Sequence, residues 1–170
     1  MAHALIRFTN SLIAVLMAGI ALPAFALAPP AGKIILSVSG SVGAKNTDTA
    51  AAFDMAMLEK LPQQTFTTHT PWDKQPITFT GPLLRDVLAA AQATGTSIKA
   101  MALNDYQTTI PMEDAQRFDV IVAYKLNGQP IPIKTKGPLF IVYPFDSKAE
   151  LQSTRYYERS AWQLKSLKIE

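Results

Sequence analysis

Apolar positions along this chain fall into short runs separated by proline, glycine and asparagine, a spacing that predicts many strands and few helices. Residues 123–144, AYKLNGQPIPIKTKGPLFIVYP, are the stretch around which the rest is arranged. They read as a strand, then a tight turn at Asn127 and Gly128, both of which tolerate positive φ. An extended segment held by Pro130 and Pro132 follows, then a second turn at Gly137 and Pro138. An apolar strand over residues 139–143 ends at Pro144. The two prolines remove backbone donors, which suits a sheet edge or a loop covering a cofactor.

Upstream, residues 34–38 (IILSV) predict a first strand leading to Gly40 and Gly43. Phe53, Met57, Leu58 and Leu61 recur at helical spacing, so a helix is expected over residues 50–61, capped from Asn46 to Thr49 and stopped by Pro62. Residues 64–70 alternate at a β-like period, 71–74 form a turn, and 76–79 a short strand. Pro82 then opens a second helix with Leu83, Leu84, Val87, Leu88 and Ala91 on its apolar face, and with Arg85 and Asp86 toward water. Two strands, 97–103 and 106–110, form a hairpin over Asn104 and Asp105. A helical turn from Pro111 follows, carrying Glu113 and Asp114, then a strand over 119–125. Residues 145–160 are polar and predict a surface loop with a helical turn, and 161–169 a closing strand. The pattern is α+β, one domain with mixed or antiparallel sheets and two main helices.

The first residues are excluded from that domain. Arg7, an apolar run over residues 12–22, and the small residues of Ala24-Phe25-Ala26 predict a signal peptide spanning residues 1–26 and a mature chain over 27–170. Pro29 disfavours cleavage after Ala28. The apolar run is short of the roughly 20 residues a membrane span needs, and Pro23 interrupts it. The expected location is therefore periplasmic or secreted, with no membrane span in the mature chain.

Charge and composition narrow the chemistry further. The formal net charge is +3, and loss of Arg7 lowers it by one. So small and scattered an excess gives no footprint for nucleic acid. The chain has no cysteine, which removes disulfides, thiolate metal sites and a thiol nucleophile. No phosphate-binding glycine loop, zincin motif or nucleophile elbow is present.

Five segments occur in a telling order: ITFTGPLLRDVLAAA, ALNDYQTTIPMEDA, DVIVAYKLNGQPI, KGPLFIVYP and AWQLKSLKI. Together they resemble the oxidoreductase molybdopterin-binding domain of the sulfite oxidase family, from about the first helix to the C-terminus. The resemblance implies that family's fold and a pterin site bounded by three segments: residues 67–72, the 104–106 hairpin and the 155–157 loop. It therefore singles out Thr67, Thr68, His69, Trp72, Asn104, Tyr106, Arg155 and Tyr156 as cofactor-binding candidates. The family's enzymes ligate molybdenum through a cysteine thiolate after a strand corresponding to residues 65–69, which here read TFTTH. Phe140 stands where a basic residue follows the family's Pro-Leu, and YPFDSKAEL replaces its glycine-rich loop.

Residue chemistry adds to this. His69 is the single histidine beyond the leader, able to act as base, metal ligand or plain hydrogen-bonding group. Trp72 can stack on a planar ligand or cover the core edge. Turn formation accounts for Asn104 and Asp105. Arg155, Tyr156, Tyr157 and Arg159 form a basic, aromatic cluster that suits an anion or a solvated loop, as do Lys134 and Lys136. No catalytic residue and no metal ligand is assigned. The sequence predicts an exported module that binds a small planar or anionic ligand, or a periplasmic protein partner, without molybdenum catalysis. The alternative is a molybdopterin-dependent periplasmic oxidoreductase with a non-cysteine metal site, so molybdopterin stays open as the cofactor.

Overall fold

The computed structural model describes residues 27–170; the leader expected over residues 1–26 lies outside them. Eleven strands are described: β1 (Leu36–Gly40), β2 (Ala50–Phe53), β3 (Gln63–Thr68), β4 (Ile77–Pro82), β5 (Ser97–Ala102), β6 (Gln107–Pro111), β7 (Ile121–Ala123), β8 (Lys125–Leu126), β9 (Gln129–Pro130), β10 (Phe140–Val142) and β11 (Leu164–Ile169). With them are the helices α1 (Met55–Lys60), α2 (Leu84–Ala90), α3 (Met112–Arg117) and α4 (Thr154–Arg159). The fold is α+β, with the strand-dense second half the sequence predicted.

A five-stranded sheet runs β2-β1-β11-β5-β6. Its one parallel pair joins β1 to β11, Val38 opposite Leu167, and all other neighbours are antiparallel. The sheet is thus mixed. A four-stranded sheet runs β3-β4-β8-β9, and β7 pairs with β10 between the two. Alternation builds the core: Ile98, Ala100 and Ala102 of β5 are buried while their neighbours are half-exposed. Leu36, Phe53, Phe79, Leu84, Ile121, Leu139 and Phe140 close the interior.

The helix expected over residues 50–61 is half strand. Ala50–Phe53 pairs with β1, and only Met55–Lys60 is helical. The supposed caps turn the chain between strands instead. Asn46 donates through its side-chain amide to the Ala52 carbonyl at 2.8 Å and accepts from the Ala52 N–H at 2.7 Å. The true cap is Asp54, whose Oδ1 accepts from Met57 N–H at 2.9 Å. Alanine and phenylalanine fit either element, so tertiary pairing decided. Pro82 likewise ends β4 rather than opening α2, although the apolar face of α2 is buried as predicted. The two expected helices are thus α1 and α2, and α3 and α4 are as short as they are.

The hairpin turn is as read: Asn127 and Gly128 take φ of 46° and 78°, and Pro130 lies on the edge strand β9. The polar stretch 145–160 is more ordered than a loop. It forms two single 3-10 turns and α4, because Phe145, Leu151 and Tyr156 anchor it in the core.

Candidate functional site

Thr70 sets the local geometry from which the site grows. Its hydroxyl accepts from the Trp72 and Asp73 N–H groups at 3.3 and 3.1 Å and donates to Asp73 Oδ2 at 2.8 Å. This turn fixes Trp72 after Pro71. Lys136 Nζ lies 2.6 Å from the same Asp73 oxygen, with both side chains largely buried. Burial raises the Asp73 carboxyl, but hydrogen bonds from Lys136 and Thr70 and the Lys136 charge outweigh it and hold the group below the ordinary carboxylate value.

Trp72 is 36% exposed and rests on Phe140 and Phe145, at ring distances of 6.0 and 6.2 Å. Trp162, just before β11, meets it edge to face at 5.4 Å, and Tyr157 of α4 does so at 6.2 Å. Tyr106 supplies a further wall. Its N–H is turned by the Asn104 side-chain oxygen at 3.1 Å, and its hydroxyl donates to the Glu158 carbonyl at 2.7 Å. Trp72, Tyr106, Tyr157, Glu158, Ser160 and Trp162 line a cleft of about 230 Å³. Hairpin, turn and helix therefore converge on one aromatic hollow, a form suited to small ligands.

The eight residues singled out from sequence divide into three groups. Trp72 and Tyr106 line this cleft, and Asn104 positions Tyr106. Thr67, Thr68 and His69 are not part of its lining. Thr67 pairs its hydroxyl with that of Thr78 at 2.8 Å. Thr68 is buried, its hydroxyl accepting from the Asp146 N–H at 2.9 Å. His69 is exposed, with backbone N–H and Nδ1 each 2.8 Å from Asp146 Oδ2. The His69 N–H is the main reason that the Asp146 carboxyl sits below its ordinary value. With Thr70, Pro71, Phe145, Gln152 and Tyr157, this pair borders a second hollow.

Arg155 and Tyr156 are not brought to the cleft. Arg155 is exposed on α4 and absent from the lining, while Tyr156 is buried against Phe118 and Tyr143. Consecutive on α4, they point about 100° apart, which a loop reading could not anticipate. The lining also holds Glu158, Ser160 and Trp162, which the sequence does not single out. Trp162 carried a signal, a lone indole preceding the last strand, whereas Glu158 and Ser160 carried none.

The donor set has no place for a thiolate-bound metal. The chain lacks cysteine, the Thr68 hydroxyl is taken up within the fold, and among the described residues no three His, Cys, Asp or Glu side chains converge to hold an ion. Nor is any described helix long and apolar enough to cross a membrane.

Residues 33–146 match the profile of the oxidoreductase molybdopterin binding domain. The fold resembles the crystal structure of the sulfane dehydrogenase SoxCD from Paracoccus pantotrophus, with a TM-score of 0.60 and 19% identity over 79% of this chain. The chain spans only 37% of the matched chain's length. No curated protein matches it.

Proposed function

This chain belongs to the oxidoreductase molybdopterin-binding domain family, and from that premise we propose that it is an exported small-molecule-binding or accessory module without molybdenum turnover. The cleft between Trp72, Tyr106, Tyr157 and Trp162 carries the reading. It offers four aromatic walls on rigid supports: a core phenylalanine pair, a side-chain-locked turn and a hairpin hydrogen-bonded to α4. Binding there asks for no metal. The residues present do not fit molybdenum, since a threonine hydroxyl keeps its proton near neutral pH and does not replace a soft thiolate. No reaction step is therefore assigned.

A periplasmic protein partner is a second reading, supported by Leu103 and Ile133. Both are exposed, and both are tied through their backbones to Gln163, next to Trp162. Such a partner would cover the rim while the ligand fills the cleft.

The test is to purify the protein from its native periplasm and measure its N-terminus, its molybdenum and its pterin fluorescence. We expect a chain beginning at or near Leu27 and molybdenum far below one atom per chain. Stoichiometric molybdenum would restore the oxidoreductase alternative, and an intact segment from Met1 to Ala26 would remove export.

A further inference from the structure

The cleft's walls stand across one another. Trp72 makes an angle of 63° with Trp162 and of 70° with Tyr157. A flat ring held between two aromatic planes needs those planes parallel. Crossed walls instead surround one compact volume with aromatic surface from several directions, which favours a rounded ligand over a flat one. The volume, about 230 Å³, is below the ~300–1,000 Å³ of sites that enclose drug-sized ligands, so a single small headgroup fills it.

Charge points the same way. Among the six lining residues the only ionisable one that carries charge near neutral pH is Glu158, an acid. The guanidinium of Arg155 is exposed on α4 and is no part of the lining. An anion here meets four aromatic rings and an acid with no lining cation to offset them. A cation meets the opposite situation. The indole pair already accepts one from the protein: Lys136 Nζ lies 5.9 Å from the Trp72 ring and 5.8 Å from the Trp162 ring. Lys136 is outside the lining, and Asp73 neutralises it at 2.6 Å.

We propose that the cleft binds a compact organic ammonium ion, quaternary or tertiary, an inference that rests on the small-molecule reading above and names the class of ligand. The methyl or methylene groups of such an ion pack against the rings. Its diffuse charge is met by ring quadrupoles and by Glu158, and it brings few N–H donors to be left unsatisfied.

Choline and its neutral isostere 3,3-dimethyl-1-butanol, which replaces nitrogen by carbon, separate charge from shape. The mature full chain is titrated with each by calorimetry and tryptophan fluorescence, and with pterin-6-carboxylate as a planar anion. Choline is expected to bind roughly tenfold tighter than the isostere, the preference a partly desolvated cation–π site gives. Trp72→Ala is expected to abolish that preference. Glu158→Gln, an exposed and near-isosteric change, should weaken choline by a few-fold and leave the isostere unchanged, with circular dichroism confirming that both variants fold. Equal binding of choline and isostere overturns the proposal. Pterin-6-carboxylate binding without choline binding overturns it too, but leaves the small-molecule reading standing. If none of the three binds, the proposal falls, and the broader reading falls with it only where the native protein also carries stoichiometric molybdenum.

Discussion

Asp73 accepts from two groups, the Thr70 hydroxyl and the Lys136 ammonium, while Thr70 also gathers the N–H of Trp72. These three side chains hold the exposed indole in place. Because the Asp73 carboxyl lies below its ordinary value when folded, the native state binds fewer protons than the unfolded chain in acid. Its contribution is complete above the unfolded value of about 3.9 and is lost as pH falls through the lower folded value. Asp73→Asn should cost roughly 1.5–3 kcal/mol at neutral pH, the range for hydrogen bonds to charged groups. The gap between wild type and variant in urea unfolding should shrink below about pH 4. Asp146, also held low, is common to both proteins and cancels. A gap independent of pH would mean that Asp73 acts by packing alone. Trp72 was legible as a site candidate from its type and place, but its support was not. Nothing in the sequence says that Lys136, which lies 63 residues on, reaches the same carboxylate.

At the scale of elements, strands and their turns were easier to read than helices. Asn127-Gly128 and the β5–β6 hairpin carry their instruction locally, in residues that accept positive φ or alternate in burial. Helix α1 has just six residues, too few for a periodic stripe to distinguish it from the strand before it. Its definition comes from Asp54, which takes the Met57 N–H on one oxygen and the Gly32 N–H on the other, at 2.9 and 2.7 Å. Asp54→Ala should therefore cost about 1 kcal/mol or more, toward the upper end of cap substitutions. Thermal unfolding followed by circular dichroism measures it, and a variant as stable as wild type would show that β2 alone sets this segment. Gly81 shows a different constraint. A Cβ there would run into the Val122 carbonyl oxygen, so β4 and β7 approach as closely as they do because the residue is glycine.

For the whole molecule, the order of segments made the family resemblance visible while the joining of its sheets stayed hidden. The parallel contact of β1 with β11 links residues more than 100 positions apart, and no local pattern announces it. The cleft depends on such joins, since Trp72, Tyr106 and Trp162 come from three distant segments. β11 sits between β1 and β5 in the five-stranded sheet. A chain ending at Ser160 should therefore remain largely insoluble, with a far-UV spectrum lacking native strand signal; a soluble, strand-rich product would show that the sheet closes without β11. The same placement has a temporal consequence. A polypeptide emerging from the ribosome with its N-terminus first holds an open slot between two sheet edges until β11 is free. Until then the five-stranded sheet stays unfinished. It also exposes two unpaired edges to its neighbours over that time, a hazard that a holding chaperone relieves.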